Sequence, residues 1–246
     1  MMGHLIRYEN PTYLFCNTGI EHPATYKFLY QLQEKWGMDI TWLEYRPEAP
    51  WFEVVCHNSY TRDGRYFEKL IKKRKAVPNR EKRFCTIELK IKTARRYIRS
   101  LGIKEWVSCI GFRPDEPHRQ RKARTGKRVV EHFRYPMDEH NKRIEDVRDF
   151  WKAQDFNLQL PMMPNGKTIG GNCQGCFWHS EYQHVQLLKN NPEHYAWLEK
   201  IEEENGYTFN DEYSYKILRK NYESGIKDMF DEEEYYCTDS RGSCGV

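Results

Sequence analysis

Short β-prone apolar runs alternate with helical patterns over the first 160 residues, and this alternation narrows the possible folds more than any other feature. "TYLFC" (12–16) reads as a first strand and ends at Asn17-Thr18-Gly19. Pro23 then starts a helix carrying Tyr26, Leu29, Leu32 and Trp36, and Gly37 stops it. "DITWLEY" (39–45) and "WFEVVC" (51–56) read as further strands. After Cys85, the residues Ile87, Ile91, Ala94, Ile98 and Leu101 recur at intervals of 4, 3, 4 and 3, which predicts a helix closed by Gly102. "EWVSCIGF" (105–112) and "VVEHFRYP" (129–136) supply two more strands, and Ile144, Val147 and Trp151 mark another helix. Asn191-Pro192 caps a helix with Trp197, Leu198 and Ile201. The pattern predicts an α/β fold with a parallel sheet flanked by helices over residues 1–160. Residues 161–246 are expected to form a mainly helical, cysteine-containing extension.

No apolar run is long enough to span a membrane, and "MMGHLIRYENPTYLF" lacks the features of a signal peptide. The expected location is the cytoplasm, where thiols stay reduced. Eight cysteines there favour metal or redox chemistry over disulfides. The net charge of +4 is unevenly spread. Residues 72–83 ("KKRKAVPNREKR") carry seven positive charges against Glu81, and residues 113–128 another seven against Asp115 and Glu116. Two basic runs point to a polyanionic ligand; a pair of solvated basic loops is the plainer reading.

Ligands of parallel sheets bind at the C-terminal ends of the strands. Asn17-Thr18-Gly19 and Gly111-Phe112-Arg113 sit at two such ends, where backbone N–H groups and Arg113 and Arg119 suit a phosphate. Gly166-Lys167-Thr168 imitates the tail of a phosphate loop, but Pro161 stands where its first glycine belongs. The stretch "GGNCQGCFWHS" (170–180) places Cys173 and Cys176 three positions apart, with Gly175 easing the turn. Two thiolates at this spacing reach one metal centre, either zinc or an iron–sulfur cluster, although metal-free pairs also occur. Cys16, Cys56 and Cys109 lie in apolar strand-like runs and are expected to be small core residues.

"FCNTGIEHPATYKFL", "RFCTIELKIKTARRYI", "CIGFRPDEPHR", "RYPM" and "GGNCQGCFW" occur in an order that resembles the phosphoadenosine phosphosulfate (PAPS) reductase family. The resemblance spans roughly residues 1–180. It implies the Rossmann-like adenine-nucleotide α-hydrolase-like fold and an adenine nucleotide, ATP or PAPS with Mg²⁺. On this analogy Asn17, Thr18, Gly19, Glu21, His22 and Thr25 line the nucleotide site, while Gly111, Arg113 and Arg119 meet phosphate or acceptor. Helix capping before Pro23 is the alternative role for Glu21 and His22. Members begin with a strand and a loop resembling "SGGKDS"; this segment is missing here, and an incomplete chain is one expected cause. Relatives complete their metal site with an upstream cysteine, for which Cys85 is the matching position. Cys85, Cys173 and Cys176 would then hold a [4Fe–4S] cluster, with His179, Cys237 and Cys244 as fourth-ligand candidates and zinc as the rival.

Reductases of the family carry a C-terminal catalytic cysteine resembling "ECGLH", whereas this chain ends "GSCGV". Cys244 would be catalytic, beside Arg113, only in a reductase. The pattern looks more like relatives that transfer sulfur to DNA or tRNA. The function implied is adenine-nucleotide-dependent sulfur transfer to a nucleic acid or small acceptor, with a sulfur-donor protein as a possible partner. A sulfonucleotide reductase and a degenerate, non-catalytic nucleotide or nucleic-acid binding module are the alternatives.

Overall fold

The computed structural model describes residues 1–120, 130–163, 168–171 and 173–225. A short helix α1 (Met2–Leu5) precedes strand β1 (Tyr13–Asn17), which ends in a turn before helix α2 (Pro23–Trp36). His22 caps α2 by accepting from the Ala24 N–H, and Gly37 closes it at φ +62°. The chain crosses back to β2 (Ile40–Tyr45), which pairs parallel with β1 from Tyr13 opposite Ile40 to Asn17 opposite Glu44. Strand β3 (Phe52–Val55) then pairs antiparallel with β2.

A single parallel sheet is therefore not what forms. Only a short connection separates β2 from β3; it can reverse the chain but cannot carry the long crossover that parallel pairing requires. The other two strands, β4 (Trp106–Cys109) and β5 (Glu131–Arg134), pair parallel in a sheet of their own. The architecture is mixed α/β, with small sheets flanked by helices.

Helix α3 (Arg65–Arg74) buries Phe67, Leu70 and Ile71 and ends in Lys72, Lys73 and Arg74, cations that favour a helix C-terminus. Part of the first basic run is thus the end of a helix. The helix expected after Cys85 opens as a π-helical segment, Thr86–Lys92, and becomes α-helical only as α4 (Thr93–Ser100). Two further helices, α5 (Pro136–Glu139) and α6 (Ile144–Lys152), follow β5. Helices α7 (Glu181–Asn190), α8 (Pro192–Asn205) and α9 (Tyr215–Glu223) form the C-terminal layer. Asn191 caps α8 as expected, accepting from the His194 N–H.

The larger apolar cluster joins Ile20, Phe67 and Leu89 to Phe177, Leu198 and Tyr215, so one core draws on both sides of residue 160. A second cluster packs Tyr26 and Trp42 with Phe156. Among the described residues no helix is long and apolar enough to cross a membrane.

Candidate functional site

Three segments distant in sequence meet at the C-terminal end of β1. The first is the turn Asn17-Thr18-Gly19. Gly19 holds φ +79°, and its carbonyl accepts the Gly64 N–H at 3.1 Å. A Cβ on Gly19 would stand 3.1 Å from that nitrogen, so the approach needs glycine. The second is the π-helical segment with Cys85 immediately before it. The third is the loop 173–180, which docks on the first. Cys173 bridges Glu21 in antiparallel fashion, and the Gln174 N–H donates to the Ile20 carbonyl at 2.7 Å.

Gly175 turns the loop at φ +69°, and a Cβ there would lie 2.2 Å from Leu198 Cδ1. The Cys176 N–H donates back to Cys173 at 3.1 Å, and the His179 N–H to Cys176 at 2.8 Å. Ser180 and Gln183 form a capping box that starts α7 directly behind the loop.

Together these segments enclose a cavity of about 590 Å³ whose wall includes Thr18, Cys85, Lys90, Cys173, Cys176 and Trp178. Burial pushes the Cys173 thiol up to about 11 and Cys176 to about 12, and raises Cys85 as well. Lys90 is held protonated, first by the Cys173 sulfur and, against its own burial, by Glu21 at 3.7 Å. The Thr18 hydroxyl lies 3.3 Å from Cys173 Sγ. Three thiols and one cation therefore share a single wall, and a bound metal would supply the charge that makes thiolates of buried thiols.

The expected nucleotide residues divide. Thr18 faces the cavity. Asn17 is occupied within the fold: its side chain donates to Glu44 Oε1 at 2.6 Å and the Thr61 carbonyl at 2.8 Å, and accepts from Tyr26 and Gly19. Buried Glu21 accepts from the Thr18 N–H and hydroxyl. His22 is a helix cap, and Thr25 follows it in the first turn of α2, donating its N–H back to the His22 carbonyl at 2.8 Å. Gly111 packs beside Met2.

Arg113 is tied to Asp115 at 3.1 Å and Glu116 at 3.2 Å in its own loop, whereas Arg119 reaches the cavity wall while pairing with Glu116. His179 is absent from that wall; its buried ring lies 5.8 Å from His184, and its Nε2 has no hydrogen-bond partner. Cys237 and Cys244 lie outside the described residues. Of the expected core cysteines, Cys16 is half-buried with its thiol pushed up to about 11, Cys109 is half-buried, and Cys56 is exposed. Cys56 falls just past the end of β3, which stops at Val55, and so misses the sheet.

Among the described residues no three His, Cys, Asp or Glu side chains form a group that could hold a metal ion.

No family model matches the sequence, and no solved structure matches it. A curated relative is an uncharacterized nin region protein, ORF290, of Escherichia phage lambda, 30% identical over 175 residues that make up 67% of this chain and 55% of the relative. The chain thus spans about half the length of that relative.

Proposed function

We propose that this chain is an iron–sulfur protein of sulfur metabolism, related to the PAPS reductase family, and that its cavity is where sulfur is transferred to an acceptor activated by an adenine nucleotide. The observation that carries this reading is the convergence of Cys85 with Cys173 and Cys176, 88 residues further on, upon one cavity beside Lys90. The order of sequence motifs supplies the family. Cys85, Cys173 and Cys176 would hold the cluster, and three-cysteine ligation leaves one iron open to an exogenous sulfur.

The chain's own groups do the rest. Lys90 offsets the negative charge of the cysteine sulfurs and of an incoming anionic acceptor. Thr18 offers a hydroxyl at 3.3 Å from Cys173 Sγ, and Arg119, paired with Glu116, would have to exchange that carboxylate for a phosphate at the wall.

Quantifying iron, acid-labile sulfide and zinc in anaerobically purified protein tests the proposal. Iron and sulfide at about four each per chain are expected. Zinc near one per chain without sulfide would instead make the loop a structural knuckle.

A further inference from the structure

Two of the rings that line the cysteine cavity carry guanidinium groups over their faces, and binding a cluster uses neither. Trp178 forms part of the wall, with Arg80 at 5.7 Å and Arg83 at 5.5 Å over its ring. Phe112 forms another part, with Arg119 4.5 Å over its ring, and the Tyr135 ring stacks on it at 6.0 Å and 19°. Two aromatic faces, each already carrying a cation, thus border one opening.

The charges there are not all spent within the fold. Glu116 neutralises Arg119. Arg80 and Arg83 form no ion pair among the described residues, and neither do Lys73, Lys75 and Lys82 of the same basic run. Arg80 and Arg83 are exposed. A merely solvated loop has no need to lay two guanidinium groups over a ring that walls a cavity. The cavity's inner wall is apolar, with Phe67, Leu198 and Phe209, and would desolvate a flat ring.

We propose that this rim receives single-stranded nucleic acid. One unpaired base enters against Trp178, and Arg80, Arg83, Lys73, Lys75 and Lys82 hold the flanking phosphates. The inference rests on the reading of the cavity as the reaction site and names its acceptor class, while its contacts involve none of the three cysteines. A stacking platform beside a basic track is the arrangement that binds single strands with little regard to sequence. A base still paired in a duplex cannot enter such a cavity.

Anisotropy with fluorescein-labelled poly(dT) and poly(U) about 12 nucleotides long tests this, against a duplex of the same length and against AMP as competitor. Saturable binding of a single strand, with the duplex weaker, is expected. Trp178→Ala should lower affinity about five- to hundredfold. The pair Arg80→Glu and Arg83→Glu, on exposed side chains that leave the fold intact, should flatten the salt dependence by about 0.7 per lost phosphate contact. A charge reversal at Lys152, on α6, should change nothing.

Equal binding of the duplex would overturn the inference. So would wild-type affinity and salt slope in both rim variants, or competition by AMP as strong as that of the unlabelled strand. Iron and sulfide are measured on the same samples. Full iron without strand binding sinks this inference alone; strand binding without iron sinks the cluster reading alone.

Discussion

An alanine at position 175 would bring its Cβ 2.2 Å from Leu198 Cδ1, on a backbone at φ +69° that suits only glycine. Leu198 is buried, so its side chain or the loop backbone must shift to admit a Cβ. Gly175→Ala should therefore cost about 2–4 kcal/mol in denaturant unfolding and reduce the metal content of the purified protein. An unchanged midpoint would show that the turn is not held as described. Glu202 is a second sensitive residue. Burial lifts its carboxyl to about 7, although it accepts the N–H groups of Phe209 at 2.8 Å and Tyr215 at 2.7 Å. A folded-state value above the unfolded one means that the folded state holds the proton more tightly. This stability is complete below about pH 4.5 and is lost as pH rises towards 7. Thermal midpoints should decline across that window in the wild type, while Glu202→Gln, less stable for its lost acceptor, should show a flatter profile. Parallel profiles would remove Glu202 as the cause.

Elements differ in how plainly the sequence announces them. All five strands were legible as apolar runs ended by turn residues, because an apolar run between turn residues marks a strand in either pairing direction. Their grouping into two sheets was not, since pairing direction depends on connections rather than on the strands. Helix α3 was hidden because its three buried residues are outnumbered by the charges around them. The 4, 3, 4, 3 spacing after Cys85 read as an α-helix throughout, yet the segment begins with π-helical winding. In an α-helix, five residues separate Cys85 from Lys90 by about 140° around the axis. A π-helix brings i and i+5 together, which is why Lys90 escaped notice as a neighbour of the cysteines. Helix α7, capped by Ser180, begins directly behind the cysteine loop and carries His184, whose ring contacts the Cys176 carbonyl at 3.0 Å. Ser180→Ala should cost about 1 kcal/mol in chemical denaturation through loss of the cap. No loss would mean that the loop fixes the helix start without it.

At the scale of the whole molecule, the shared core couples the two ends of the chain. Ile20 and Leu89 pack in one cluster with Tyr195 and Tyr215, so the described residues should unfold in a single calorimetric transition. Two separated transitions would show that the C-terminal helices fold by themselves. The site was only partly legible. Cys173 and Cys176 announce themselves by spacing, whereas Cys85 was reached solely through the family resemblance. Asn17 and Arg113 look like ligand residues in sequence, yet in the fold they are occupied by neighbours. Because Cys85 is the remote member, it gives the most direct test of whether three segments build one centre. The measurement is the iron and sulfide content of anaerobically purified Cys85→Ser beside Cys173→Ser and the wild type. Equal loss of iron and sulfide in both variants, with the fold retained by circular dichroism, is the predicted result. A Cys85→Ser protein with its full wild-type complement would contradict a centre shared by the three cysteines.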